Sequence, residues 1–306
     1  MIVPTWFIAL MPWVFVWVWS TGFLVAKFGQ PYAEPFTLLS IRFAAAMLVL
    51  LLIILRFKVK ESFPGKPRLW LHSMIVGLLI HGFYLGGVFQ AIALGMPAGL
   101  SSMVIGLQPL VMALLAGLML RERVTVWQWI GLLIGLGGLY LVLSERFALQ
   151  AGQAYDGFSG WSAVLVTAGL MGISVGSVYQ KKFCQGMSLL TSIWWQYLAA
   201  ALFCFVVALL FETQQVDWQL AFVLSLSWQV LALSIGAIML LMLMINLGES
   251  ARVASLFYLV PPAVALQAWW WFDEQLGMQA LLGLGLIAIG VALARLKLFI
   301  GKTKTT

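Results

Sequence analysis

The chain repeats part of itself, and this duplication constrains the fold more than any other feature of the sequence. The segment 109–138 recurs 152 positions later as the segment 261–290. Identical pairs in this match include Pro109/Pro261, Ala113/Ala265, Ala116/Ala268, Glu122/Glu274, Gly131/Gly283 and Gly138/Gly290. A weaker match, at a displacement of 154, joins Ser20, Gly22, Lys27 and Thr37 to Ser174, Gly176, Lys181 and Thr191. The fixed spacing from proline to glutamate to glycine carries most weight, because chance identities are common between leucine-rich helices.

Each half of the chain contains five apolar runs, and this odd number determines how the halves are oriented. After five spans the chain has changed sides, so the second half enters the membrane the other way up. We therefore expect two inverted five-helix repeats, over residues 4–144 and 158–298. Inverted repeats of this kind are the architecture of many secondary transporters.

Composition places the chain in a membrane. Hydrophobic residues make up 63% of the 306 residues and charged residues only 9%, which leaves too little polar surface for a soluble globule of this size. The apolar runs lie near residues 4–26, 36–55, 70–94, 99–119, 127–144, 158–180, 189–211, 222–247, 251–271 and 277–298. Most reach the roughly 20 residues that a helix needs to cross the hydrocarbon core. The sequence thus predicts an all-α membrane protein with ten transmembrane helices.

Two other interpretations of the apolar runs are excluded. A transmembrane β-barrel would alternate apolar and polar residues, whereas these runs are continuously apolar. The first run lacks a basic leading segment and an Ala-x-Ala cleavage site, so we expect it to remain as a helix and not to be removed as a signal peptide.

The distribution of charge predicts the topology. Fourteen basic residues lie on the side of the N-terminus: Arg56, Lys58, Lys60, Lys66, Arg68, Arg121, Arg123, Lys181, Lys182, Arg252, Arg295, Lys297, Lys302 and Lys304. Only Lys27 and Arg146 lie on the opposite side, and Arg42 lies within a span. The net charge of +7 therefore reflects the positive-inside rule and not a nucleic-acid partner. Both termini are expected to be cytoplasmic, in a multi-pass protein of the inner or plasma membrane.

Short motifs around the duplicated segments carry a family resemblance. They are Ala93-Leu94, Ala98-Gly99-Leu100, Pro109, and Leu120-Arg121-Glu122-Arg123 leading to Gly131 and Gly138. The second half repeats them more loosely, with Pro261-Pro262 and Phe272-Asp273-Glu274-Gln275. With its two five-span halves, the chain resembles the EamA-type branch of the drug/metabolite transporter superfamily over residues 7–144 and 158–296. The resemblance implies an exporter of small metabolites, often amino acids or their relatives.

Few polar residues lie within the spans, so each is a candidate for the transport pathway. His81 and Tyr84 are the first choice, because both are deep in the third span and one helical turn apart. Arg42 attracts a substrate carboxylate, pairs with Glu34 two turns earlier, or extends its charged end to the membrane interface. The other substrate-contact candidates are Trp19, Gln108, Trp195, Asn246 and Tyr258. Packing in the core or against lipid is the alternative role for each of these side chains.

Prolines and acids at matched positions are expected to be structural. Pro109 and Pro261 free backbone carbonyls within the membrane, which neighbouring helices, water or a polar cavity must satisfy. Glu122 and Glu274 are expected to stabilise the start of the next helix through its dipole. Exchange of either glutamate for glutamine should lower stability more than it changes substrate preference. Glycines at helix-packing intervals, such as Gly131, Gly135 and Gly138, should let backbones approach closely.

The sequence offers no support for other chemistry. Gly301-Lys302-Thr303 resembles the end of a phosphate-binding loop, but the required first glycine is Leu296 and no strand precedes it. No metal-ligand spacing is present, and neither histidine has a nucleophile and carboxylate around it, so we expect no cofactor. An integral-membrane or lipid-modifying enzyme remains the alternative function, and a channel is disfavoured because no helix carries a polar stripe. The sequence does not indicate the oligomeric state.

Overall fold

The computed structural model describes residues 5–56, 67–120, 126–150, 159–184, 186–244, 259–273 and 277–300. All the regular elements in these ranges are helices. Their bounds are α1 Thr5–Gly29, α2 Pro35–Arg56, α3 Pro67–Ala93, α4 Ala98–Ile105, α5 Gln108–Leu120, α6 Val126–Gln150, α7 Gly160–Phe183, α8 Leu189–Phe211, α9 220–244, α10 Val260–Phe272 and α11 Met278–Ile300. No strand occurs within the described ranges, where the only β-pairing is an isolated bridge between Ala33 and Val216.

Six of these helices are long and apolar enough to cross a membrane. The six segments are Leu10–Gly29, Pro35–Arg56, Pro67–Ala93, Gly160–Phe183, Leu189–Phe211 and Leu220–Leu240. This confirms the prediction of an all-α membrane protein. The predicted total of ten spans stays a prediction, because the ninth apolar run, 251–271, is described only from residue 259 onward.

The fourth predicted span is broken in the structure. A single helix was expected near residues 99–119, but α4 ends at Ile105 and α5 begins at Gln108. Proline explains the position of the break, because Pro109 has no N–H to bond the carbonyl of Ile105, four residues earlier, and its ring crowds that turn. Gly106 occupies the break, and a Cβ added there would lie 2.9 Å from Cγ of Pro261. The helix is therefore interrupted where a side chain larger than glycine would crowd Pro261 of α10.

Helices α6 and α11, which hold the matched glycines, run antiparallel and in close contact. A Cβ added at Gly138 would collide with the Gly283 backbone, and one added at Gly290 would collide with the Gly131 backbone. The two contacts are equivalent in the repeat. Gly138 meets Gly283, and their repeat counterparts, Gly290 and Gly131, meet each other in the same way. These glycines mediate helix packing as the sequence predicts, and the equivalent helices of the two repeats point in opposite directions.

Helices α2 and α8 are equivalent at a displacement of 154, and they also pack antiparallel. Phe36, near the start of α2, contacts Phe203 in the second half of α8, with ring centroids 6.4 Å apart. Further along α2, Phe43 stacks on Tyr197 at 5.5 Å. Because residue 43 plus 154 is residue 197, these two rings are repeat counterparts in direct contact. The local twofold axis between the repeats therefore passes between them.

The third helix of each repeat contains a π-helical segment. In α3 it covers Leu78–Leu85, and in α9 it covers Trp228–Ala237. A displacement of 154 maps 78–85 onto 232–239, so the two segments overlap in the repeat. A π segment has hydrogen bonds from residue i to residue i+5, which widens the helix, and such segments are often found at functional sites. Gly169 and Gly172 of α7 accommodate the widened part of α3, since a Cβ at Gly172 would lie 2.8 Å from the Leu79 carbonyl oxygen.

Two connecting loops are joined side by side by carboxylate hydrogen bonds. We call the contact between residues 29–37 and 211–219 the loop seam. Glu212 accepts bonds from the N–H groups of Phe36 (2.8 Å) and Thr37 (2.7 Å), and so caps the start of α2. Glu34 accepts the N–H and hydroxyl of Thr213, at 2.6 and 2.7 Å. Each side of the seam therefore supplies one carboxylate to the other.

Candidate functional site

A small cavity lies where the two repeats meet. It is lined by Trp19, Phe23, Tyr84, Ser102, Ile105, Gly106, Gln108, Ile173, Val260 and Pro261. These residues come from α1, α3, α4, α5, α7 and α10, so both repeats contribute to the wall. Its free interior is only about 20 Å³, room for about one water molecule. Sites for small-molecule ligands are roughly ten times larger or more, so the cavity in this conformation is too small to hold a metabolite.

Three predicted pathway residues meet at this cavity. Trp19, Tyr84 and Gln108 all line it, together with Pro261 from the second repeat. Tyr84 is 5% exposed and lies in the π segment of α3. The Gln108 amide is half-buried and donates only a weak bond, 3.5 Å to Sδ of Met112, so its polar atoms remain available to a solute. The break between α4 and α5 is the irregular backbone that transporters tolerate at membrane depth beside a cavity.

A buried polar group surrounds His81, one helical turn before Tyr84 on α3. We call it the Arg42 cluster, and it consists of Arg42, His81, Gln196, Tyr197 and Ser234. Arg42 Nε donates to Oγ of Ser234 at 3.1 Å, and the Tyr197 hydroxyl donates to the Ser234 carbonyl oxygen at 3.0 Å. The His81 ring meets Tyr197 edge-on at 4.9 Å and lies within hydrogen-bonding reach of Gln196.

The Arg42 cluster leaves two polar nitrogens unpaired. Nη1 of Arg42 and Nδ1 of His81 are buried and have no hydrogen-bond partner. Arg42 is 6% exposed and His81 8% exposed. Buried polar atoms are rarely left without partners, so such atoms call for an explanation.

Arg42 does not form the ion pair with Glu34 that the sequence left open. The Glu34 carboxylate binds Thr213 in the loop seam instead, and Glu212 binds Thr37. The π segment of α9 provides the physical reason, because it brings the Ser234 hydroxyl to the Arg42 guanidinium and holds this side chain inside the bundle.

The remaining predicted site residues lie elsewhere. Trp195 does not line the cavity; its ring stacks on Trp70 at 5.0 Å, near the starts of α3 and α8. Pro109 is the second residue of α5. Asn246, Tyr258, Glu122 and Glu274 fall outside the described residues, so their roles stay predictions.

Sequence reasoning missed Gln196 and Tyr197, although a signal for them was present. The displacement of 154 that joins Thr37 to Thr191 also takes Arg42 to Gln196 and Phe43 to Tyr197. Extending the match past Thr37 would have identified both residues as the repeat counterparts of a candidate site. The π segments had no comparable signal beyond Gly82 and Gly236, which also stand 154 apart.

Comparison with known proteins agrees with this architecture. The model of the EamA-like transporter family matches residues 6–144 and 160–296. The "Uncharacterized transporter YvbV" of Bacillus subtilis (strain 168) is 25% identical over 300 residues, covering 94% of this chain and 92% of the relative. The "Probable amino-acid metabolite efflux pump" of Escherichia coli (strain K12) is 27% identical over 284 residues, covering 90% of each protein.

One solved crystal structure shares the fold, with a TM-score of 0.64 and 20% identity over 97% of this chain and 98% of the other. The family model covers both halves of the chain, and the relatives that the chain resembles are named transporters or efflux pumps. The substrate of this protein is therefore a small molecule, and the protein lies in the lipid bilayer. The chain belongs to the EamA-like transporter family, and it is a membrane transporter and not an enzyme.

Proposed function

We propose that this transporter is a secondary exporter of small metabolites such as amino acids, working by alternating access between two inverted five-helix repeats. The observation that carries the proposal is the small cavity between the repeats, which Tyr84 and Gln108 line together with Pro261. A cavity with walls from both repeats opens to one side or the other as the repeats rock against each other. The antiparallel packing of α2 with α8 and of α6 with α11 supports this movement.

The amino-acid substrate class is supported by the name of the Escherichia coli relative, "Probable amino-acid metabolite efflux pump". The aromatic and amide side chains around the cavity, Trp19, Tyr84 and Gln108, suit a partly apolar solute with a polar head. The sequence contains no nucleotide-binding loop, so we infer that the solute gradient, a proton gradient or exchange drives transport. We also propose that the two five-helix repeats cover residues 4–144 and 158–298.

The proposed orientation places both termini in the cytoplasm. It rests on the 14-to-2 distribution of basic residues in the loops. In this orientation the loop seam lies on the outer side, and the connection at residues 183–189 lies on the inner side. The inner-membrane transporter YedA of Escherichia coli (strain K12), 26% identical over 283 residues, supports location in the inner or plasma membrane.

Counterflow in proteoliposomes tests the proposal. Purified protein is reconstituted with unlabelled leucine or phenylalanine inside, and uptake of the labelled amino acid is followed. We expect transient accumulation with the wild type and a fall of about tenfold with Gln108→Leu, because a buried hydrogen bond to the solute is lost.

Thr167→Val is the matched control, because Thr167 is an exposed side chain on α7 that bonds only to its own helix, at Ala163. It should retain counterflow. Absence of counterflow for every amino acid and related metabolite tried would contradict the substrate class, and equal loss in both variants would contradict the assignment of the cavity.

A further inference from the structure

We propose that Arg42 binds a carboxylate of the transported solute, so that the Arg42 cluster holds the head group while the rest of the solute extends into the cavity past Tyr84. This inference rests on the proposed function and adds to it the chemical group that is recognised and the residue that recognises it. The charge of Arg42, the unpaired nitrogens and the position of the cluster between the repeats each support the proposal.

The first argument is charge. An arginine side chain remains protonated even when it is buried, so Arg42 carries a positive charge inside the bundle. Among the acidic side chains that the structure describes, Glu212 and Glu34 are bound in the loop seam, Asp217 accepts Gln219 at 2.7 Å, and Asp273 follows the last turn of α10. None of these balances Arg42. A buried charge without a counterion is strongly unfavourable, and within a membrane such a residue is a sign of function.

The second argument is hydrogen bonding. A guanidinium has five N–H donors in a planar fork that matches a carboxylate. Nε is used by Ser234, whereas Nη1 is buried and unpaired. His81 Nδ1 is a second unpaired nitrogen in the same cluster, and the Arg42 charge acts on that ring. A polar head group placed here satisfies atoms that the protein leaves unsatisfied.

The third argument is the apolar surroundings of the charge. Phe43 and Tyr197 stack on each other, and His81 packs against both rings, at 5.6 and 4.9 Å. The guanidinium carbon of Arg42 lies over the Phe43 ring, 5.7 Å from its centroid. In such an environment of low dielectric constant, attraction between a guanidinium and a carboxylate is much stronger than in water.

The fourth argument is the position of the cluster on the twofold axis. Arg42 and Gln196 are repeat counterparts, as are Phe43 and Tyr197 that stack between the repeats. Ser234 and His81 come from the π segments of the third helices of the two repeats. A group on this axis keeps nearly the same neighbours whichever side is open. The charge can therefore hold the head group throughout the transport cycle.

Counterflow with matched solutes tests the proposal. Labelled phenylalanine is compared with phenylalaninamide, which has the same shape but no carboxylate, in wild-type, Arg42→Met and Arg42→Lys proteins. We expect the wild type to prefer the acid by about tenfold or more, as for a charge-assisted pair. Arg42→Met should bring the ratio near one, and Arg42→Lys should fall between them, because an ammonium keeps the charge but loses the fork.

Arg56→Met is the matched control, since Arg56 ends the same helix and is exposed. It should keep the wild-type preference. Because Arg42→Met changes a buried residue, its melting temperature in detergent is measured with and without phenylalanine. A folded variant that no longer gains stability from phenylalanine supports the proposal, whereas a variant that keeps the wild-type gain overturns it.

The remaining outcomes separate this proposal from the proposed function. Equal counterflow of acid and amide by the wild type leaves an amino-acid transporter standing and overturns the role of Arg42. Absence of counterflow, together with an Arg42-dependent thermal shift by phenylalanine, supports the carboxylate site while contradicting transport of that solute. If chloride raises the melting temperature through Arg42 and no carboxylate does, the counterion is inorganic and the proposal is overturned.

Discussion

At the scale of single residues, the polar groups of this transporter are few, and they converge. His81 and Tyr84 lie one turn apart on the π segment of α3, yet they face different surroundings. Tyr84 borders the cavity, whereas His81 belongs to the Arg42 cluster. The pair therefore connects the two parts of the candidate site.

This arrangement predicts that substitution of either residue lowers transport and that substitution of His81 also lowers stability. Tyr84→Phe removes one hydroxyl at the cavity, and His81→Ala removes the ring that packs on Phe43 and Tyr197. Both should lower counterflow by about tenfold, the factor for one buried hydrogen bond. His81→Ala should also lower the melting temperature, because it leaves a cavity beside two buried rings.

Membrane levels and elution volume show whether each variant inserts and folds. Wild-type rates in both variants at matched protein levels would leave His81 an ordinary packed histidine and Tyr84 a packing residue.

At the residue scale, the sequence predicts which polar side chains lie within the spans, but not which face of each helix points inward; the roles of these residues in transport stay predictions. Arg42, His81 and Tyr84 could be identified because a polar side chain is unusual within a span. Trp195 was chosen in place of its neighbour Gln196, and the two point about 100° apart on an α-helix. Because α8 is apolar nearly all round, its sequence carries no periodic signal of which face points inward.

At the scale of helices, contact between backbones replaces the hydrophobic effect, which is absent in lipid. Gly138 and Gly290 show this most directly, since each faces the backbone of the opposing helix. Gly137 immediately precedes Gly138 on α6 and has open space beyond its Cα. Two adjacent glycines therefore have opposite steric surroundings.

The two glycines predict opposite results for the same substitution. Gly138→Ala forces α6 and α11 apart and should cost about 1–3 kcal/mol of stability, as overpacking does. Gly137→Ala meets no neighbour and should leave stability unchanged or raise it by up to about 1 kcal/mol. Thermal unfolding in detergent measures both. Similar melting temperatures for the two variants would show that this helix contact is looser than the structure indicates.

Helix boundaries could be predicted wherever a run is uniformly apolar, and less well where the backbone is irregular. α2 and α8 match the predicted runs 36–55 and 189–211 closely. The break at Gly106 and the π segments were not predicted, because each depends on packing against another helix. The break fits Pro261 of α10, and the π segment of α3 fits the glycines of α7. Such fits are tertiary properties that a local sequence pattern does not contain.

At the scale of the whole molecule, the duplication predicts the architecture and the charge distribution predicts the orientation. Single cysteines at Lys60, Gly152 and Thr305 test the orientation, in a background where Cys184 and Cys204 are replaced by serine. Burial raises the pKa of the Cys184 thiol, so the native residue would react slowly and give an ambiguous background.

In intact cells, an impermeant thiol reagent should label the cysteine at position 152 and leave those at 60 and 305 unlabelled. Labelling after the membrane is permeabilised controls for access. The reverse pattern would invert the assignment of inside and outside.

The loop seam has a consequence for how the protein moves. Five carboxylate hydrogen bonds, three to Glu212 and two to Glu34, join its halves, and a backbone bond from Asp217 to the Tyr32 carbonyl adds to them. Any displacement that separates the loops breaks these bonds nearly at once, so the seam is either made or lost as a unit. For the alternating-access cycle proposed above, we therefore expect partly open forms to be sparsely populated. Weakening one bond by about 1.4 kcal/mol would change the ratio of open to closed molecules about tenfold without changing the shape of either state.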